Sequence, residues 1–231
     1  RNSIACALVG GTTNMIGLLV PDASNLFFSE LAREFEREAV ARGYLTMIGN
    51  TGNDPDIESR YIAGLSDFRA AGVFVVSVNA HVGLDQHCPT VYVHSAPKDA
   101  KQPSVLFDDE HGGRVAARHL IELGYKDIAC LAGPGKFGPL GLRRSGWKME
   151  MRRAGLSIRN RTHYVSANRS QATEDVEKIL TAPRPPRAIF ATTDEQAIAA
   201  LRAARLLGLS VPDDLAIVGF DGVAEARLGT V

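Results

Sequence analysis

Short apolar runs rich in β-branched residues alternate along the chain with longer stretches of helical period. The runs are Ile16–Val20, Thr46–Ile48, Val73–Val76, Val91–Val93, Val105–Phe107, Ile128–Leu131, Ala188–Ala191 and Leu215–Val218. Between them, Phe28–Arg42 places Phe28, Leu31, Phe35 and Ala39 on one face, with Arg33, Glu34, Arg37 and Glu38 largely outside it. His111–Leu123 repeats the pattern through Val115, Ala116, His119, Leu120 and Leu123. The helical stretches close on a glycine followed by an apolar residue (Gly43-Tyr44, Gly72-Val73, Gly124-Tyr125, Gly155-Leu156, Gly208-Leu209), the signature of a left-handed C′ glycine. Asp54-Pro55 supplies an N-cap acid and a proline at the first helical position. Strands that alternate with helices in this way require parallel sheets covered on both faces. The pattern therefore predicts an α/β protein of two doubly wound parallel-sheet lobes, roughly four or five βα units in each, with a ligand cleft between them.

With 231 residues, two such lobes can each bury a core. Lys and Arg number 26 and so do Asp and Glu, giving no formal net charge. A module that holds DNA by itself normally carries a basic excess, so any DNA contact must come from a small local element or from a segment outside this chain. Three widely spaced cysteines, Cys6, Cys88 and Cys130, form no C-x-x-C and no disulfide framework, which points to a reducing, cytoplasmic compartment. No apolar run approaches the ~18 residues that a membrane span needs. The chain opens on Arg1 rather than Met and is read as the stump of a longer one.

Several motifs invite chemistry and do not sustain it. Gly133-Pro134-Gly135-Lys136-Phe137-Gly138 spells G-x-G-x-x-G after a strand, but a dinucleotide site needs the turn to run straight into a helix. Pro134 interrupts it, the next good helix is expected near Arg143, and no acid closes a second strand about 20 residues on. No cofactor is expected. His81, His87, Cys88 and His94 match no zinc spacing, so no metal is expected either. There is no G-x-S-x-G, H-E-x-x-H or P-loop, which leaves open only a catalytic group assembled from distant segments. No catalytic residue is assigned.

Ligands of open parallel sheets bind beyond the carboxyl ends of the strands. Those ends fall at Pro21–Phe28, Ser77–His81, Asp108–Asp109, Gly133–Arg143, Ala167–Asn168, Thr192–Asp194 and Phe220–Asp221. They hold aromatic rings, one guanidinium and several carboxylates, the mixture that a sugar or similar metabolite needs. Each residue also has a structural reading: Phe28 as core, Arg143 as a solvated charge before a helix, Asp194 as an N-cap.

At this point the chain resembles the effector domain of LacI/GalR-type bacterial transcription regulators. The resemblance rests on Ile16-Gly17-Leu18-Leu19-Val20-Pro21-Asp22 and Ser24–Phe28, on Gly112 through His119–Gly124, and on Arg143-x-x-Gly146-Trp147. It continues through Ala191-Thr192-Thr193-Asp194-Glu195-x-Ala197 and Val218-Gly219-Phe220-Asp221. Several of these motifs are shared with periplasmic sugar-binding proteins. Asn2–Leu8 resembles the family's hinge helix, with Asn2, Ala5 and Leu8 as its DNA contacts and Leu8 as the minor-groove wedge. Residues 1–11 are accordingly expected to be a hinge remnant, 12–125 the N-terminal lobe and 126–231 the C-terminal lobe. The helix-turn-helix headpiece and the tail that returns to the first lobe are expected to lie outside this sequence.

The resemblance implies an effector-sensing and dimerisation core of a repressor. Phe27, Phe28, Asp108, Arg143, Thr193, Asp194 and Asp221 would bind a sugar-like effector, with Arg143 and Asp221 facing one another across the cleft. The implied partners are the effector, operator DNA through the headpiece, and a second copy in a homodimer; no membrane is involved. Three positions depart from the family pattern: Thr193 stands where an Asn is usual, Ala167 near a usual aromatic ring, and Cys6 where a basic residue is common. The alternative reading is an extracytoplasmic sugar-binding protein of a transporter.

The charge balance generates a test. Residues 1–231 should bind duplex DNA weakly or not at all in a fluorescence-anisotropy titration, and an upstream headpiece should add salt-sensitive binding to a palindrome. Nanomolar operator binding by residues 1–231 alone would contradict this division of labour.

Overall fold

The protein is represented by a computed structural model that describes residues 12–76, 88–94, 103–133, 138–166 and 168–228. The hinge contacts expected at Asn2, Ala5 and Leu8 lie outside these residues, as do Cys6, His81, His87 and Ala167. The chain divides into two compact units, residues 1–107 and 108–231.

The described part of the first unit runs β1 (Met15–Val20), α1 (Leu26–Ala41), β2 (Leu45–Asn50), α2 (Pro55–Asp67), β3 (Gly72–Val76), β4 (Thr90–Val93) and β5 (Ser104–Val105). Its sheet is wholly parallel, in the order β2-β1-β3-β4-β5. Successive residues of β1 face opposite sides, as the pleat requires. Leu18 and Val20 meet Phe28 and Ala32 of α1, whereas Leu19 meets Ile62 and Leu65 of α2. Both sides of the central strand are thus apolar, which is why β1 reads as a continuous run rather than an alternating one.

The second unit runs α3 (Asp109–Glu122), β6 (Ile128–Ala132), α4 (Gly138–Arg153), β7 (Thr162–Tyr164), α5 (Arg169–Leu180), β8 (Ala188–Ala191), α6 (Asp194–Leu206), β9 (Ala216–Val218) and α7 (Ala224–Leu228). The sheet order is β7-β6-β8-β9, again parallel throughout. Val176, Leu180, Ala200 and Ala203, from α5 and α6, pack on one face with Leu131 and Ile189. Ala116 and Leu120 of α3 join Trp147 and Met151 of α4 on the other, against Cys130 and Phe190. The two doubly wound parallel sheets expected from the pattern are therefore present.

Three expectations need correction. The boundary between units falls at Phe107/Asp108, not at 125/126. The reason is that α3 packs on α4 and shares its core. At their crossing, a Cβ on Gly113 would sit 2.0 Å from the Arg143 carbonyl oxygen, and one on Gly146 would sit 2.0 Å from that of Glu110. Only two glycines let the backbones approach this closely. Second, α4 begins at Gly138 rather than near Arg143, with Pro139 tolerated in its first turn. Third, Gly43, Gly124, Gly155 and Gly208 have positive φ as expected, but Gly72 is the first residue of β3; Arg69, with φ 50°, takes the left-handed position after α2.

The crossing predicts opposite signs for glycine substitutions. Gly113→Ala or Gly146→Ala should destabilise the protein by about 1–3 kcal/mol or more, because backbone must move. Gly64→Ala, inside α2 with nothing within 4 Å of the added Cβ, should stabilise it by about 0.5–1 kcal/mol. Thermal melts decide, and a Gly146→Ala protein that melts with the parent would refute the close crossing.

Candidate functional site

The carboxyl ends of the strands in the second unit converge on one guanidinium. Arg143 projects from α4 and is 2% exposed. Its Nε donates to Asp109 Oδ1 at 2.8 Å, and its Nη1 donates to Asp221 Oδ1 at 2.8 Å and to the Thr192 carbonyl at 2.7 Å. The Phe220 ring lies beneath it, 3.7 Å from the guanidinium carbon to the ring centroid. Nη2 makes no hydrogen bond among the described residues. A fork with five donors thus keeps two of them available.

Each partner comes from a different segment. Asp109 opens α3, Thr192 follows β8, and Asp221 lies in the loop after β9. Asp221 adopts φ 92°, a left-handed conformation that an L-residue enters at a cost. That loop is pinned by Asp194, whose Oδ2 accepts from the Val223 amide at 2.8 Å, while the Asp194 amide reaches Asp221 Oδ2 at 3.4 Å. Gly219 permits the wrap, since a Cβ there would lie 2.3 Å from Asp194 Oδ1. Burial pushes the carboxyls of both Asp194 and Asp221 above the ordinary range. The backbone amides around Asp194 and the Arg143 charge beside Asp221 oppose that rise.

The expected site residues therefore take distinct places. Arg143 and Asp221 do not oppose one another from two halves: both belong to the second unit and are bonded directly, because α4 and the loop after β9 end on the same sheet edge. Asp108 and Thr193 are helix N-caps, accepting from the amides of His111 and Gln196. Asp194, read as a possible N-cap, sits one residue inside α6 and holds the Asp221 loop. Asp109, Phe220 and the Thr192 carbonyl were not singled out from sequence. Asp109 looks like an ordinary first-turn acid, and only the α3–α4 crossing brings it to Arg143.

In the first unit the strand ends carry rings. Phe27 and Phe28 meet edge to face at 5.2 Å, and His94, after β4, lies 5.7 and 6.5 Å from them. Phe107 adds a fourth ring, 5.6 Å from His94. Phe27 remains partly accessible whereas Phe28 is 8% exposed and joins the core beside Leu18 and Val20. A separate apolar groove of about 410 Å³ lies at the opposite, amino ends of β1, β3 and β4, lined by Ile16, Phe35, Phe74 and Val91. Its charged lining residues, Glu38 and Arg42, are paired with each other on the exposed side of α1.

The strongly perturbed carboxyl of the first unit is Glu58, in the first turns of α2. It is 4% exposed, and burial pushes it from an ordinary value of 4.5 to about 7. Burial, then the Glu58 charge, pushes the Tyr92 phenol up to about 12. Nothing in the sequence marks Glu58, since it occupies a position where first-turn acids are common.

With this geometry in hand, similarity to known proteins is informative. Residues 117–231 match a family described as the periplasmic binding protein-like domain. The HTH-type transcriptional regulator DegA of Bacillus subtilis (strain 168) is 34% identical over 98% of this chain and 70% of its own length. The ribose operon repressor of Escherichia coli (strain K12) is 30% identical over 99% of this chain and 72% of its own. A solved periplasmic binding protein/LacI transcriptional regulator from Alkaliphilus metalliredigens QYMF, complexed with D-xylulofuranose, superposes with a TM-score of 0.77. It is 27% identical and covers 91% of this chain and 79% of the other. No helix among the described residues is long and apolar enough to cross a membrane.

Glu58 yields a pH prediction. Its folded pKa is raised, so the native state binds a proton more tightly than the unfolded chain between pH 4.5 and about 7. Stability is therefore full below pH 4.5 and falls as pH rises to about 7. Glu58→Gln should remove that slope and stabilise the protein at pH 8 by about 1–3 kcal/mol. Denaturation at pH 5 and pH 8 tests it, and an unchanged slope in the variant would refute it.

Proposed function

Because the chain belongs to the LacI/GalR family of bacterial transcription regulators, we propose that it senses a hydroxyl-rich small molecule, a sugar or sugar derivative, and transmits its presence to operator DNA. The family is not catalytic, and this chain is an effector-sensing core rather than an enzyme. The relatives favour a regulator over a transporter's binding protein, a choice that the shared fold cannot make.

The observation that carries the ligand reading is the half-committed guanidinium. Arg143 is buried and fixed by Asp109, Asp221 and the Thr192 carbonyl, yet Nη2 has no acceptor among the described residues. A sugar hydroxyl accepts from Nη2 and donates to Asp221, whose Oδ2 receives only a long bond of 3.4 Å. Phe220 stiffens the fork from below. The complex of a LacI-type neighbour with D-xylulofuranose supports the same ligand class. Asp108, Thr193 and Asp194 enter as residues that hold the scaffold, their side chains being engaged with backbone amides. In this proposal the regulator works in the cytoplasm as a homodimeric repressor, reading DNA through a headpiece joined at Asn2–Leu8. A coupling of about 1–3 kcal/mol between effector and operator suffices for a several-fold to hundredfold change in DNA affinity.

A thermal-shift screen of pentoses, hexoses and their derivatives identifies the effector, and calorimetry then tests the site. Arg143→Ala should weaken binding by about 2–5 kcal/mol, because it leaves Asp109 and Asp221 buried without their partner, and Asp221→Ala by about 1–3 kcal/mol, because it removes one acceptor of Nη1 and of the ligand hydroxyl. Folded variants that bind within a factor of two of the parent would make both residues structural.

A further inference from the structure

We infer that Asp109 sets the charge preference of the Arg143 site, so that it takes neutral or cationic hydroxyl-bearing ligands and rejects phosphorylated or carboxylated ones. This rests on reading the Arg143 site as the effector site. One buried guanidinium stands among three carboxylates: Asp109 and Asp221 bond it directly, and Asp194 supports the loop beside it. Asp109 is 2% exposed, too enclosed to meet a ligand broadly, and its bond to Nε neutralises the arginine from behind. Asp221 then tips the balance to negative, and a proton on Asp194 or Asp221 would only bring it nearer to neutral.

The other arginines at the described strand ends of the unit are engaged. Arg144 donates to the Tyr164 hydroxyl, and Arg169 holds Glu195 and Glu225. The helix N-termini that begin with Asp109 and Asp194 are capped by Asp108 and Thr193, each of which occupies one of the amides that an anion would seek. A phosphate or carboxylate on the ligand would therefore meet repulsion, with no uncommitted cation among the described residues to offset it. Asp109 acts through Arg143 and is a positioning residue, not a ligand contact.

The test pairs each neutral sugar with its own phosphate, uronate and amino sugar (D-ribose with D-ribose 5-phosphate, D-glucose with D-glucuronate and D-glucosamine), by calorimetry on the parent and on Asp109→Asn. The variant keeps an oxygen acceptor for Nε and removes one charge. In the parent, the acidic member should bind about a hundredfold weaker than its neutral partner, the effect of a like charge roughly 6 Å away at an effective dielectric near 20. In Asp109→Asn that gap should shrink to about tenfold or less, while neutral binding shifts little. Should the variant not fold, the parent's selectivity alone decides. Equal binding of a sugar and its phosphate by the parent overturns the charge inference and leaves the effector site standing. An unchanged gap in a folded Asp109→Asn protein removes Asp109 from the role. Failure of every neutral, amino and acidic sugar to bind overturns the site reading, and this inference with it.

Discussion

The second unit is organised around a charge almost wholly withdrawn from water. Taking a guanidinium out of water costs several kcal/mol unless its N–H groups find acceptors, so the surrounding backbone must deliver them. Arg143 receives its acceptors from α3, from the end of β8 and from the loop after β9. Each delivery constrains a different part of the fold. α3 must cross α4 at near backbone contact, which the glycines at 113 and 146 allow. β8 must end where the Thr192 carbonyl points at Nη1. The loop after β9 must turn back, which forces Asp221 to φ 92°.

That last constraint explains the role of Asp194. A left-handed aspartate costs about 1–2 kcal/mol and persists only where its surroundings hold it. The Asp194 carboxylate takes the Val223 amide, the Asp194 amide reaches Asp221, and Arg143 closes the circuit. The three side chains form one unit, so their contributions are not separable by single substitutions. Nor is stability a sufficient reason to keep them, because apolar residues of similar volume often serve a core as well or better. Among the described residues the network leaves two N–H donors of a rigid fork unused, and that is the ground on which a ligand is proposed here.

Much of the fold was legible from periodicity, and the exceptions have physical causes. All eight apolar runs overlap strands, because buried parallel strands carry unbroken apolar sequences. β7 was not anticipated: Thr162-His163-Tyr164 is a short edge strand with Tyr164 exposed, so neither length nor apolarity marks it. The unit boundary was misplaced because a sequence shows that a helix has an apolar face but not which sheet receives it. The Gly-Gly crossing that settles the matter is a contact between residues 33 apart. At the site, the residue types at strand ends pointed to Arg143 and Asp221 but could not tell an acid paired with the guanidinium from a capping one. Asp108, Thr193 and Asp194 share the chemistry of binding residues, and only their bonded amides reveal what they do.

The same limit bears on function. A doubly wound pair of sheets with polar strand ends serves regulators and transport proteins alike, and nothing in its packing distinguishes them. What distinguishes them is how ligand energy is spent outside the site, on DNA contacts in one case and on a transporter in the other. The site itself answers a narrower question, namely which ligands are admitted. Here the answer follows from electrostatics close to one atom group: a guanidinium already matched by two carboxylates is a hydrogen-bond donor of fixed direction rather than a source of positive charge. Direction without surplus charge suits hydroxyls, which both donate and accept, and it suits acids poorly. The selectivity proposed for the site is thus a consequence of which acceptors the fold supplies to bury Arg143.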